Sequence, residues 1–123
     1  MAATLANGKM AYVEIPAIDI QRSAEFYAKV FGWRVSPRAD GSTAFEDTTG
    51  EVSGAWVPGR PASTEPGLLL FIVVENMAAT IDKILEEGGK IVEWIGENTP
   101  WIGRFYDPAG NVLGLFQEPA LSN

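Results

Sequence analysis

The stretch "FEDTTGEVSGAW" occupies residues 45–56, and sixty residues later the chain reads "FYDPAGNVLGLF", residues 105–116. Five of the twelve positions are identical: Phe45/Phe105, Asp47/Asp107, Gly50/Gly110, Val52/Val112 and Gly54/Gly114. Both copies read as the turn of a β-hairpin. Asp at the first position and Gly at the fourth suit a type I turn, and Pro108 at the second has its φ pre-set for it. The closing glycine can take a positive φ and form the bulge common in such hairpins. One such turn says little. Its repetition in a fixed frame points to a duplicated unit.

The frame extends in both directions. "YVEIPAID" (12–19) is matched by "LLFIVVEN" (69–76), each an apolar run that reads as a buried strand. Asp19 and Asn76 end these runs as helix N-cap candidates. Behind them, Ile20, Ala24, Tyr27 and Phe31, and then Met77, Ile81, Ile84, Leu85 and Gly88, recur at helical spacing. Gly32 and Gly89 are the expected stops. Short strands follow at 33–35 and 90–92, and then the hairpins. Each half therefore reads strand, helix, strand, strand, strand. The N-terminal βαβββ module spans 9–57 and the C-terminal one 67–118. The segment "PGRPASTEP" (58–66), with three prolines, reads as a linker. The fold class is α+β. The two modules, side by side, are expected to form a curved, cup-like mixed sheet within one domain, residues 1–123.

Composition bounds the partners. Sixteen acidic against nine basic residues give a formal charge of −7, which argues against nucleic acid or an anionic membrane surface. No signal core and no run of about 18 apolar residues is evident, so a cytoplasmic protein is expected. The chain has neither Cys nor His. Disulfides, thiol nucleophiles and His-activated serine triads are thereby excluded. "EEGG" lacks the strand-to-helix context of a phosphate-binding loop. Arg104 reads as a hairpin surface residue, and 82–90 as a solvated helix face with its cap.

Paired βαβββ modules of this kind resemble the vicinal oxygen chelate superfamily, which includes glyoxalase I, bleomycin-resistance proteins, fosfomycin-resistance enzymes and extradiol dioxygenases. The resemblance is carried by "VEIPAIDIQRSAEFYAKVFGWRV" (13–35) and "DPAGNVLGLFQ" (107–117) and covers nearly the whole chain. In metal-dependent members, four strand positions inside the cup, typically His and Glu, hold the ion. Carried over, these positions fall on Tyr12, Gly54, Leu69 and Gly114. Only Tyr12 offers a donor atom, so no metal and no other cofactor is expected. The two glycines then mark places where ligand side chains would project, and their hydrogens are expected to leave open volume.

Alternation along strands suggests what lines the cup. Tyr12 and Glu14 would face inward, with Gly54 and Trp56, with Leu69 and Phe71, and with Gly114 and Phe116. Trp101 and Phe105 would close the rim. Glu14 is expected in an apolar cavity walled by Trp56, Phe71 and Phe116. Such a pocket suits a small apolar or aromatic ligand, and bleomycin-resistance proteins are the family precedent for binding without catalysis. Two other readings remain open. One is a metal-independent lyase or isomerase with Glu14 as base and Tyr12 as proton donor. The other is a dimeric interaction module with filled cups. The resemblance also implies a homodimer.

Overall fold

The computed structural model describes residues 4–95 and 101–117, without the side chains of Trp94, Ile95 and Trp101. The chain divides into two compact units, Met1–Pro61 and Ala62–Asn123. The first holds strand β1 (Tyr12–Pro16), helix α1 (Ile20–Phe31), β2 (Arg34–Pro37), β3 (Thr43–Glu46) and β4 (Ser53–Val57). Its sheet has the order β1-β4-β3-β2, with β1 parallel to β4 and the other pairs antiparallel. The second holds β5 (Phe71–Val74), α2 (Met77–Glu86), β6 (Lys90–Ile95), β7 (Trp101–Tyr106) and β8 (Val112–Gln117), in the order β5-β8-β7-β6. Both are βαβββ.

Both helices start where their caps dictate. The Asp19 carboxylate accepts from the Arg22 N–H at 3.2 Å, and the Asn76 carbonyl from the Ala79 N–H at 3.0 Å. In α2 a second side chain helps: buried Gln117 accepts from the Met77 N–H at 2.6 Å, satisfying another free donor of the first turn. Helix α1 stops at Gly32 as expected. Helix α2 ends earlier than the sequence suggests. Gly88, not Gly89, takes the left-handed conformation (φ 96°), and the Gly89 N–H closes onto the Ile84 carbonyl at 2.8 Å.

The two hairpins share a turn but not a length. Gly50 and Gly110 donate to the carbonyls of Asp47 and Asp107, both at 3.0 Å, with positive φ of 75° and 94°. A glycine serves there because side chains rarely adopt that backbone region. The first hairpin then closes from the Asp47 N–H to the Val52 carbonyl, the second from Asp107 to Asn111, both at 2.9 Å. The first loop thus holds one residue more. Side chains alternate faces along a strand, so this extra residue exchanges the two faces of β4 relative to β8.

The exchange corrects the reading of the first unit. Gly54 pairs with Val13 and Phe45, and Trp56 with Ile15 and Thr43. Trp56 is 1% exposed and its ring lies 5.9 Å from that of Tyr27 on α1. Gly54 and Trp56 therefore face the helix, not a cup. They join a core in which Trp33 stacks between Tyr27 (4.7 Å) and Phe45 (4.6 Å), with Phe26 beside them. Burying each large ring contributes about 1.5–3 kcal/mol. Trp56 Nε1 and Ser23 Oγ lie in the same unit's interior with no partner among the described residues. In the second unit Phe105, fully buried, shares a row with Leu113 and Ile91 below α2 and does not close a rim. Leu115, Met77 and Ile84 complete that core.

Neither glycine leaves open volume. A Cβ on Gly54 would stand 1.9 Å from the Val13 carbonyl oxygen and 2.5 Å from the Phe45 ring. One on Gly114 would stand 2.5–2.9 Å from three atoms of the Phe71 ring. In both cases the ring is that of the glycine's own register partner. The absent side chain is replaced by a neighbouring aromatic lying across the strand.

A difference in cost follows. At Gly54 the obstacle is backbone, and Gly54→Ala should lower unfolding free energy by about 3 kcal/mol. At Gly114 the obstacle is a half-exposed ring that can swing aside, and Gly114→Ala should cost about 1 kcal/mol. Urea titrations of the two variants check this, and the reverse order would contradict the facing assigned here.

Candidate functional site

Each sheet has one face under its helix and one face that its own unit leaves uncovered. In the first unit two residue rows cross the uncovered face: Tyr12, Ser53, Glu46 and Arg34, then Glu14, Ala55, Ala44 and Ser36. The face is polar and charged. Arg34 pairs with Glu46 at 3.4 Å, and Glu14 pairs with Arg60. Arg38 Nη1 donates to the Tyr12 hydroxyl at 2.8 Å, with its guanidinium carbon 5.4 Å from the centre of the Tyr12 ring. Glu14 is thus not enclosed by apolar walls. Its side chain is 41% exposed, and its charge is met by a guanidinium from the segment after β4.

In the second unit the uncovered rows run Phe71, Gly114, Arg104 and Glu93, then Val73, Phe116 and Ile102. This face is largely apolar. Phe71 is 47% exposed and Val73 59%, with Phe116 half-buried beside them. Arg104 Nε lies 3.0 Å from Glu93, so the one charged pair of these rows is internally neutralised. Leu69 precedes β5 and is half-buried. The side chain of Trp101 lies outside the described residues.

Phe71 and Glu14 are structural counterparts, each standing five residues before its helix cap. The counterpart of Gly114 is then Ala55, the partner of Glu14, rather than Gly54. The positions at which the resemblance expects metal ligands therefore hold Tyr12, Ala55, Leu69 and Gly114. Only Tyr12 carries a donor atom, and that oxygen is engaged by Arg38. With no imidazole or thiolate in the chain, these residues do not fit the nitrogen and sulfur preferences of zinc or iron. Among the described residues no group of three or more Asp and Glu gathers as a hard-cation site would require. No helix among them is long and apolar enough to cross a membrane.

Sequence reasoning misses Arg38 and Arg60. Both reach the site from loops, where alternation makes no statement.

A pair of βαβββ units with one uncovered sheet face each defines a class of α+β proteins. The model of the Glyoxalase/Bleomycin resistance protein/Dioxygenase superfamily matches residues 9–115, and the chain belongs to that superfamily. A glyoxylase-like domain-containing protein of Didymella fabae is 28% identical over 123 residues, covering 92% of this chain and 96% of that one. Among solved structures, a glyoxalase/bleomycin resistance protein from Streptomyces sp. CB03234 is 25% identical with a TM-score of 0.63, covering 89% of this chain and all of that one. TnmS3, an antibiotic binding protein from the same organism, is 24% identical with a TM-score of 0.67, covering 93% and 98%.

Because Glu14 and Arg60 are both about half exposed, their pairing is screened by water. A double-mutant cycle of Glu14→Gln and Arg60→Met should give a coupling below about 1 kcal/mol in thermal unfolding. A larger coupling would mark the pair as a structural clasp.

Proposed function

We propose that the protein binds a small apolar or aromatic molecule against the uncovered sheet face of its second unit, without a metal ion. The observation that supports this is the exposed apolar row built on Phe71, Val73 and Phe116, with the Phe71 ring lying across Gly114. An exposed aromatic ring beside further apolar side chains offers a flat ligand a surface to stack on. TnmS3, whose name describes antibiotic binding, gives a precedent for small-molecule binding on the same fold. The donor chemistry of Tyr12, Ala55, Leu69 and Gly114 supports the metal-free part. A homodimer, as the resemblance implies, belongs to the same reading.

A lyase or isomerase using Glu14 as base has less support. Its carboxylate is already paired with Arg60.

Titration with phenylnaphthylamine, a neutral dye that fluoresces on entering apolar surroundings, tests the reading. The protein should bind it saturably, and Phe71→Ala should weaken binding about tenfold, as expected for losing one aromatic anchor. Absence of saturable binding would overturn the proposal. Elemental analysis of the purified protein should show well under one Zn, Ni or Fe per chain, and a stoichiometric transition metal would refute the metal-free part.

A further inference from the structure

The row that carries Phe71 and Gly114 continues to Arg104 and Glu93. Because Gly114 has no side chain, the Phe71 ring fills the space above it, 2.5–2.9 Å from where a Cβ would stand. Arg104 is the next residue of the row, one strand spacing (about 4.8 Å) further on. Along β7 the same face carries Ile102 and Tyr106, both half-buried, on either side of Arg104. Phe116 pairs with Ile102 and so stands diagonally across from Arg104. All of these residues belong to the second unit. A flat molecule seated on Phe71 and Phe116 therefore has this guanidinium at its border.

The state of the guanidinium decides what it can recognise. Its Nε lies 3.0 Å from Glu93 Oε1, and among the described residues Glu93 is its one partner. The contact is an ion pair at the root of the group. Neither Nη atom has a hydrogen-bond acceptor among the described residues, so the fork of N–H donors is unspent. The side chain is about half exposed, and a ligand can reach it.

Glu93 thus compensates the positive charge and leaves the donors open. An oxyanion placed there would gain the attraction of Arg104 but meet the Glu93 carboxylate close by. A neutral acceptor takes the hydrogen bond without that repulsion. Lys90, another charge on this face, stands one row beyond, opposite Tyr106 on the edge strand β6. We infer that Arg104, held neutral overall by Glu93, is the polar specificity determinant of this face, and that its ligand is a flat apolar molecule bearing a neutral carbonyl acceptor. This rests on the small-molecule binding reading above.

Three naphthalene dyes separate the two ideas: phenylnaphthylamine, which has no carbonyl, prodan, a neutral naphthyl ketone, and anilinonaphthalene sulfonate, the anionic relative of the first. Arg104→Met keeps an apolar stem and removes the donors. It should weaken prodan about fivefold to tenfold and change phenylnaphthylamine less than about twofold, the difference being one hydrogen bond from a charged group. The emission of bound prodan should also move to the blue, because its carbonyl loses a donor. Glu93→Gln removes the compensating charge and should strengthen the sulfonate several-fold, with no comparable gain for phenylnaphthylamine. Equal losses of prodan and phenylnaphthylamine in Arg104→Met, or no loss of either, would overturn the carbonyl acceptor while the binding reading stands. So would an unaltered protein that binds phenylnaphthylamine but not prodan. An unchanged sulfonate affinity in Glu93→Gln would overturn the compensating role of Glu93. If phenylnaphthylamine fails to bind the unaltered protein, the binding reading falls and this inference falls with it.

Discussion

The arrangement of both units depends on one constraint: consecutive side chains on a strand point to opposite faces, so one residue added before a strand exchanges its faces. Strand β4 follows a loop that closes at Val52, and β8 a loop that closes at Asn111, one residue sooner after the shared Asp-x-x-Gly turn. Trp56 therefore lands beneath α1, in contact with Tyr27 and Phe45. With the shorter closure it would stand on the uncovered face, and Ala55 would be left to fill the space under the helix. The aromatic core of the first unit exists because of that one residue.

The two echoing glycines meet the same difficulty on opposite faces. A strand glycine buries no side chain and leaves neighbouring hydrogen bonds uncovered, and in each unit the register partner is a phenylalanine that lies over the gap. Under α1 this makes Phe45 part of a continuous aromatic stack. On the uncovered face of the second sheet no helix of that unit continues the contact, so Phe71 lies over Gly114 and stays half exposed. The same local device serves stability in one unit and presents an apolar surface in the other.

Most of the fold is legible in the sequence because it is written locally. Asp19 and Asn76 cap the helices they precede, and both Asp-x-x-Gly turns form where the chain places them. The facing of strands is less legible. It depends on which carbonyl closes a hairpin, and identical residues after the turn conceal a difference of one position. Alternation places Tyr12, Glu14, Phe71, Gly114 and Phe116 on uncovered faces, as read from β1, β5 and β8. It fails for Gly54 and Trp56 because of the longer loop. Phe105 fails differently: its row is set by pairing with Leu113, a long-range choice. Arg38 and Arg60 leave no periodic signal, since a long side chain from a loop can reach a strand far from it in sequence.

The covered faces of the two sheets are alike because each must bury apolar surface against a helix, and only large hydrophobic side chains do this without leaving polar groups unsatisfied. No helix of its own unit imposes that demand on the uncovered face, so composition there is free to differ. It does differ: Arg34, Arg38 and Arg60 with Glu14 and Glu46 in the first unit, Phe71, Val73 and Phe116 in the second. A duplicated backbone thus carries two unlike surfaces, one charged and one largely apolar. The positions that the resemblance would assign to a metal hold a phenol already engaged by Arg38, a methyl group, an isobutyl group and a hydrogen.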